Sequence, residues 1–176
     1  AAGKDHFNQG GSAGAWQHFL QTAPWCTWSF KKHGQQSIGK SKGGWNTKLH
    51  VVSANDKVIV EMHLSGGNCH DAPQGRISIE NIGDSYLGIP YLMDRAYEGD
   101  KTRELCQSFG HKPVVPPKKN RINPWEYDHE LYKQRNIIER LFRWLKAFRR
   151  VCTRYDKLDV IFMSFVQIAC IFTWLK

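Results

Sequence analysis

The stretch at residues 129–149, HELYKQRNIIERLFRWLKAFR, carries the strongest helical pattern in the chain. It contains no Gly or Pro, and Leu131, Ile138, Leu141, Phe142, Leu145 and Phe148 recur at steps of three, four and seven. That spacing predicts a helix with one apolar stripe turned to a core. The opposite face carries Tyr132, Arg135, Glu139, Arg143 and Lys146.

On either side of this helix the elements alternate. Upstream lies a proline-broken basic loop, PPKKNRINPWEYD (116–128), preceded by a short strand at Pro113–Pro116 and a helical pattern from Glu98 to Phe109 that stops at Gly110. Tyr91-Leu92-Met93 reads as a strand ending at Asp94, and Arg76–Gly83 as a short helix after the loop GGNCHDAPQG (66–75). Before that loop, WNTKLHVVSA (45–54) and KVIVEMHLS (57–65) flank Asn55-Asp56 and predict a hairpin. Downstream, Val160–Leu175 (VIFMSFVQIACIFTWL) is almost continuously apolar. At 16 residues, with Ser164, Gln167 and Thr173 inside it, it falls short of the roughly 20 needed to cross a bilayer. It reads as a long apolar C-terminal helix buried in the core, with no membrane partner. The order β-β-α-β-α-β-α-α makes the fold class α/β, a mixed sheet flanked by helices.

Composition narrows the function. In 176 residues, 25 Lys and Arg face 16 Asp and Glu, a net +9, and the pI is near 9.4. With 41% apolar and 12% aromatic residues the chain has the material for a core and is no disordered basic tail. A folded cationic protein points to a polyanion. Lys118–Lys157 holds 12 basic against five acidic residues, so most of the excess lies beside Glu139. Five scattered cysteines without a C-x-x-C pair indicate neither a disulfide framework nor a zinc site, and fit a reducing cytoplasm. Cys69-His70 lacks a second pair of ligands. Trp45, Trp125 and Trp144 read as core or loop anchors.

Gly34–Ser41, GQQSIGKS, matches the phosphate-loop pattern letter for letter. The motif works only where a strand delivers the loop and a helix leaves it. Here FKKH precedes it and Lys42-Gly43-Gly44 follows, which would break a helix in its first turn, so it reads as a basic loop leading into a strand.

Two acids stand out. Asp94 ends an apolar strand, a place where a carboxylate is both fixed and accessible. Glu139 lies mid-helix, in line with Tyr132, Arg135 and Lys146 seven before, four before and seven after it. Spacing alone leaves open an ordinary turn cap for Asp94 and an ordinary helix ion pair for Glu139. A carboxylate pair of this kind suits hard divalent cations, and two-metal phosphodiester chemistry places such ions about 3.5–4 Å apart. Lys118, Lys119, Arg121, Arg135, Arg143 and Lys146, with Arg149 and Arg150, would supply phosphate contacts.

The string Y-x2-R-x3-E-x6-K (Tyr132, Arg135, Glu139, Lys146), with MDRAYEGD around Asp94, resembles the catalytic domain of bacterial insertion-sequence transposases of the DDE type, specifically the insertion-sequence-five family. QSIGKSKGGWNTKLH, HDAP at 70–73, VVPPKKNRINPWEYDHELYKQRNIIERLF and FRRVCTRYDKLDV fit that family in order, over Lys31–Lys176. The resemblance implies a ribonuclease-H-like fold, Mg²⁺ (or Mn²⁺) as cofactor, and double-stranded DNA, both transposon ends and target, as partner, held by a homodimer in the bacterial cytoplasm and nucleoid. It implies that Asp94 and Glu139 are the second and third catalytic, metal-binding acids. Tyr132, Arg135 and Lys146 match positions that place DNA near the cut.

The family's first acid lies in a D-S-T motif on the first sheet strand, and this sequence has none. Residues 1–30 (AAGKDHFNQGGSAGAWQHFLQTAPWCTWSF) show no sustained period and read as an anomalous segment, with the first strand missing or degraded. The codons of Gln21-Thr22-Ala23-Pro24 permit GAC-AGC-ACC, Asp-Ser-Thr, in another frame, and Phe30-Lys31-Lys32 permits a T/A run on which slippage occurs. The segment therefore reads as an out-of-frame translation, with a divergent N-terminus as the alternative, before an incomplete catalytic domain at 31–176. Function then divides between an impaired DNA-cleaving and strand-joining enzyme and a non-catalytic DNA-binding remnant.

Overall fold

The computed structural model of the protein describes the backbone of residues 13–22 and the whole of residues 34–175. Its strands are β1 (Ala13–Thr22), β2 (Gly39–Ser41), β3 (Gly44–Ser53), β4 (Ile59–Gly66), β5 (Pro90–Met93), β6 (Lys112–Val114) and β7 (Thr153–Arg154). The helices are α1 (Asp71–Ile82), α2 (Asp100–Ser108), α3 (His129–Lys133), α4 (Asn136–Lys146), α5 (Arg149–Cys152) and α6 (Asp159–Trp174). One sheet runs β2-β3-β1-β5-β6, with β4 beside β3 and β7 beside β1. β1 is antiparallel to β3 and parallel to β5 and β7, so the sheet is mixed.

Strand β3 shows how the layers form. Asn46 to Ser53 are all buried, because both faces are covered. On one face Leu49 and Val51 pack with Ile138, Leu141, Phe142 and Leu145 of α4 and Phe162, Val166 and Ala169 of α6. On the other, Val52 joins Ile79 and Ile82 of α1, Tyr91, Met93, Tyr97 and Cys106. Period-two alternation thus feeds two cores. Among the buried polar residues of the strand, Lys48 Nζ donates to the Cys69 carbonyl (2.6 Å) and pairs with Asp71 (2.7 Å). His50 Nε2 lies 2.8 Å from Ser65 Oγ, and its ring stacks on His63 at 4.7 Å.

Several sequence expectations are corrected. The first strand is present: Ala13–Thr22 forms β1 at the centre of the sheet, because backbone pairing on both edges needs no periodic side chains. The expected 129–149 helix divides into α3, α4 and α5. At the first junction Gln134, Arg135, Ile137 and Ile138 donate to carbonyls only three residues back, a tighter winding than the α-helix. Helix α1 begins inside the presumed loop, at Asp71, whose carboxylate suits a helix start and is held by Lys48. Gly75 lies inside α1 because Tyr97 packs there; a Cβ on it would stand 2.4 Å from the tyrosine ring. The phosphate-loop sequence runs into the β2–β3 hairpin with no helix after it. A long apolar helix buried at the C-terminus is not found. The 16-residue α6 buries only the stripe Phe162, Val166, Ala169 and Thr173, and Val160, Ile161, Ile168, Ile171 and Phe172 are exposed, since the sheet covers one side only. No described helix is long and apolar enough to cross a membrane.

Arg154 is the most constrained side chain. It is 0% exposed and donates to the Asp156 and Lys157 carbonyls, to Thr47 Oγ1 of β3 and to the Asp159 carboxylate at the start of α6. Asp159 also accepts from the backbone and hydroxyl of Ser37 (2.7 and 2.6 Å). A buried cation whose donors are all used is costly to break.

Two outcomes follow for stability. Arg154→Met leaves the Asp159 carboxylate without its cation and should cost about 3–5 kcal/mol, read as a lowered denaturant midpoint. A loss under about 1 kcal/mol would contradict this account. His50 is held down to about 4, first by burial and then by the neighbouring His63, so protonation favours the unfolded chain. Stability is unaffected above pH ~6.5, falls as pH drops toward about 4, and loses on the order of 3 kcal/mol across that window. Denaturant midpoints at pH 7 and 4.5 test this, and His50→Gln should flatten the difference.

Candidate active site

Asp94 follows β5 directly and caps the single 3-10 turn Arg95–Tyr97, its carboxylate accepting from the Arg95 backbone N–H at 2.6 Å. The turn is anchored by Tyr97, buried against Gly75 of α1. Burial, with Asp71 and Asp94 nearby, raises the Tyr97 hydroxyl far above its usual range, so it stays neutral. Asp94 is thus set by a strand end, a turn and a helix behind it.

Glu139 arrives from the other side, in the first turn of α4. Its register follows from the stripe Ile138, Leu141, Phe142 and Leu145, which buries one face of the helix and leaves Glu139 on the outer one. Arg135 joins the two acids. Its guanidinium lies 2.8 Å from Glu139 Oε1 and 3.6 Å from Asp94 Oδ1. Side-chain exposures of 41% for Asp94, 53% for Glu139 and 32% for Arg135 leave the group open to solvent. Tyr132 completes it, its ring centroid 5.8 Å from the guanidinium and edge-on to Tyr127 at 5.6 Å. Burial raises the Tyr132 hydroxyl above its ordinary value, with Arg135 opposing.

Of the residues singled out in the sequence, Asp94, Tyr132, Arg135 and Glu139 therefore meet at one place. Arg143 and Lys146 lie exposed farther along α4, and Lys119 is exposed in the 116–128 loop. Lys118 and Arg121 are differently placed. Lys118 Nζ pairs with Glu98 at 3.0 Å, and Arg121 pairs with Glu98 and Asp100 while lying 4.4 Å from the Trp125 ring centroid. Arg103 covers that ring as well, at 3.7 Å. These contacts clasp the loop to the turn after Asp94. The Arg121 hydrogen bond draws the Asp100 carboxyl below its ordinary range. Glu98, almost fully buried at the clasp's centre, escaped the sequence reading although it stands four residues from Asp94. Trp125 anchors the loop as expected, donating to the Val115 carbonyl at 2.8 Å, and Trp45 and Trp144 are 43% and 46% exposed.

Carboxylate oxygens at Asp94 and Glu139 are suitable donors for a hard divalent cation. Among the described residues there is no group of three or more metal-type side chains. The parallel pairing of β1 and β5 runs Ala13–Tyr91, Gly14–Leu92, Ala15–Met93, and one further step sets position 16 level with Asp94. That position is Trp16. Gln21 lies farther along β1, paired with Asn46 and Thr153, while Ala23 to Trp25 fall outside the described residues.

Comparison with known proteins identifies the family. The family model "Transposase DDE domain" matches residues 17–174, beginning inside the segment whose sequence looked anomalous. A putative transposase for insertion sequence element IS6501 from Brucella ovis is 32% identical over 133 residues, 74% of this chain and 98% of that protein. A putative transposase for IS402 from Burkholderia cepacia is 24% identical over 81% of this chain and 68% of its own length. Among solved structures, the piggyBac transposase in a synaptic complex with hairpin DNA shares the fold at TM-score 0.60 and 9% identity. The alignment covers 93% of this chain but 46% of that one, so this chain spans just under half of piggyBac. A family match running nearly the length of the chain, supported by a relative covered almost end to end, makes this protein a member of the transposase DDE domain family.

Proposed function

We propose that the chain is the catalytic domain of a bacterial insertion-sequence transposase with a ribonuclease-H-like fold, acting on double-stranded DNA at transposon ends and target. The observation that carries this is the meeting of Asp94 and Glu139 around Arg135 at the end of β5. Asp94 and Glu139 would hold Mg²⁺ or Mn²⁺, which supplies Lewis acidity and an activated oxygen nucleophile for phosphodiester hydrolysis and strand transfer. Tyr132 and Arg135 would orient the scissile strand, and Lys119, Arg143 and Lys146 would hold phosphates on the flanking surface. Lys118 and Arg121 act through the clasp they form with Glu98 and Asp100, with a weaker direct claim on DNA. A homodimer on DNA, in the cytoplasm and associated with the nucleoid, fits this role.

Activity of the chain as it stands is impaired in this reading. Among the described residues no third acid stands with Asp94 and Glu139 to complete the cation site. Residues 1–30 are then out-of-frame translation whose backbone can still supply a strand. The same observation favours the second reading, a remnant that binds DNA without cutting it.

Three results separate these readings. With Mg²⁺ and cognate ends, strand cleavage by the unaltered chain should be weak or absent, and robust cleavage would refute the impairment. Any cleavage that remains should fall a hundredfold or more with Glu139→Gln, on the order of the several kcal/mol a Lewis acid contributes. Glu139→Gln alone should leave DNA affinity unchanged or higher. Complete absence of cleavage with DNA binding retained supports the remnant. Codons for residues 21–24 incompatible with GAC-AGC-ACC would end the frameshift explanation.

A further inference from the structure

The position of Arg135 is unfavourable for the helix that carries it. It stands at the N-cap of α4, in a helical conformation continuous with the tight winding before it. Its pairing with Glu139 runs cation-first along the helix, the weaker order for an i, i+4 ion pair. What it gains is contact with two carboxylates from separate elements that would otherwise face each other uncompensated. All three side chains are partly open to water, so the contacts are of a strength that exchanges readily.

We infer that Arg135 is a built-in placeholder for the divalent cation: its guanidinium sits between Asp94 and Glu139 in the metal-free protein and is released toward a DNA phosphate when a cation displaces it. This rests on the reading of Asp94 and Glu139 as cation ligands. Two positive charges cannot share the space between the acids, so cation entry and guanidinium departure are one event. Free of the acids, the same fork-shaped donor matches a phosphate. Cation and DNA then strengthen each other's binding by the same factor, through one side chain.

The test is Mn²⁺ binding without DNA, read from the paramagnetic resonance of free Mn²⁺, on the full chain. Arg135→Gln removes the competitor and should bind Mn²⁺ about tenfold more tightly, a typical size for coupling between sites. Arg135→Lys keeps the charge and should stay near the unaltered protein, which a merely structural role would not predict. Equal or weaker binding by Arg135→Gln overturns the placeholder. If Glu139→Gln leaves Mn²⁺ binding unchanged, the site assignment itself fails, a result distinct from failure of the placeholder. In a second arm, Ca²⁺ should tighten DNA binding by the unaltered chain about tenfold and by Arg135→Gln not at all. Tightening that survives the substitution also overturns the proposal.

Discussion

The whole sheet depends on the backbone of β1. Remove Ala13–Thr22 and the sheet separates into a hairpin group, β2-β3-β4, and a parallel pair, β5-β6, with no pairing between them. The ladder to β3 runs from Gly14–Ser53 to Gln21–Asn46, and the pairing to β5 fixes how far Asp94 projects. The requirement is one of hydrogen bonding more than of side chains, because the interior positions of a sheet leave unpaired N–H and C=O groups at a high cost. A segment with an irregular sequence can meet it. The same segment decides which side chain stands level with Asp94, so a requirement on the backbone and a requirement on chemistry fall on one strand and are met separately.

Positioning of the site follows from two packed layers acting on opposite sides of that strand. Behind Asp94, Lys48 fixes Asp71, α1 presents Gly75, and Tyr97 closes on it. Glu139 is set by four buried residues of α4 in the other core. Neither acid is placed by its own interactions alone. Arg135 bridges the two, pairing with an acid from each.

Much of this was legible in sequence. The α4 stripe, the β3–β4 hairpin and the apolar strand before Asp94 are strong periodic signals, and they locate both acids. Asp94 and Glu139 came from position and Arg135 from spacing, although spacing alone equally allowed an isolated helix pair. Illegible were features with no period. β1 is held by backbone pairing, α1 starts at an acid that only Lys48 makes favourable, and Glu98 matters through partners about twenty residues away. The half-exposed α6 shows the opposite failure, since an apolar run says how much surface prefers burial but not whether the fold supplies a second layer to cover it.

Charge counting likewise overstated what faces outward. Of the 12 basic residues between Lys118 and Lys157, six besides Arg135 (Lys118, Arg121, Lys133, Arg140, Arg150 and Arg154) stand within ion-pair distance of acids of the same chain. An ion pair inside the protein displaces no counterion from DNA, so these residues add little to the salt dependence of binding, which steepens by about 0.9 per phosphate neutralised. The dense basic segment thus serves first as internal wiring. Under the proposed function, the electrostatic grip on a duplex would fall to exposed cations such as Lys119, Arg143, Lys146 and Arg149, and it would be set more by where the phosphates lie than by how many charges the chain carries.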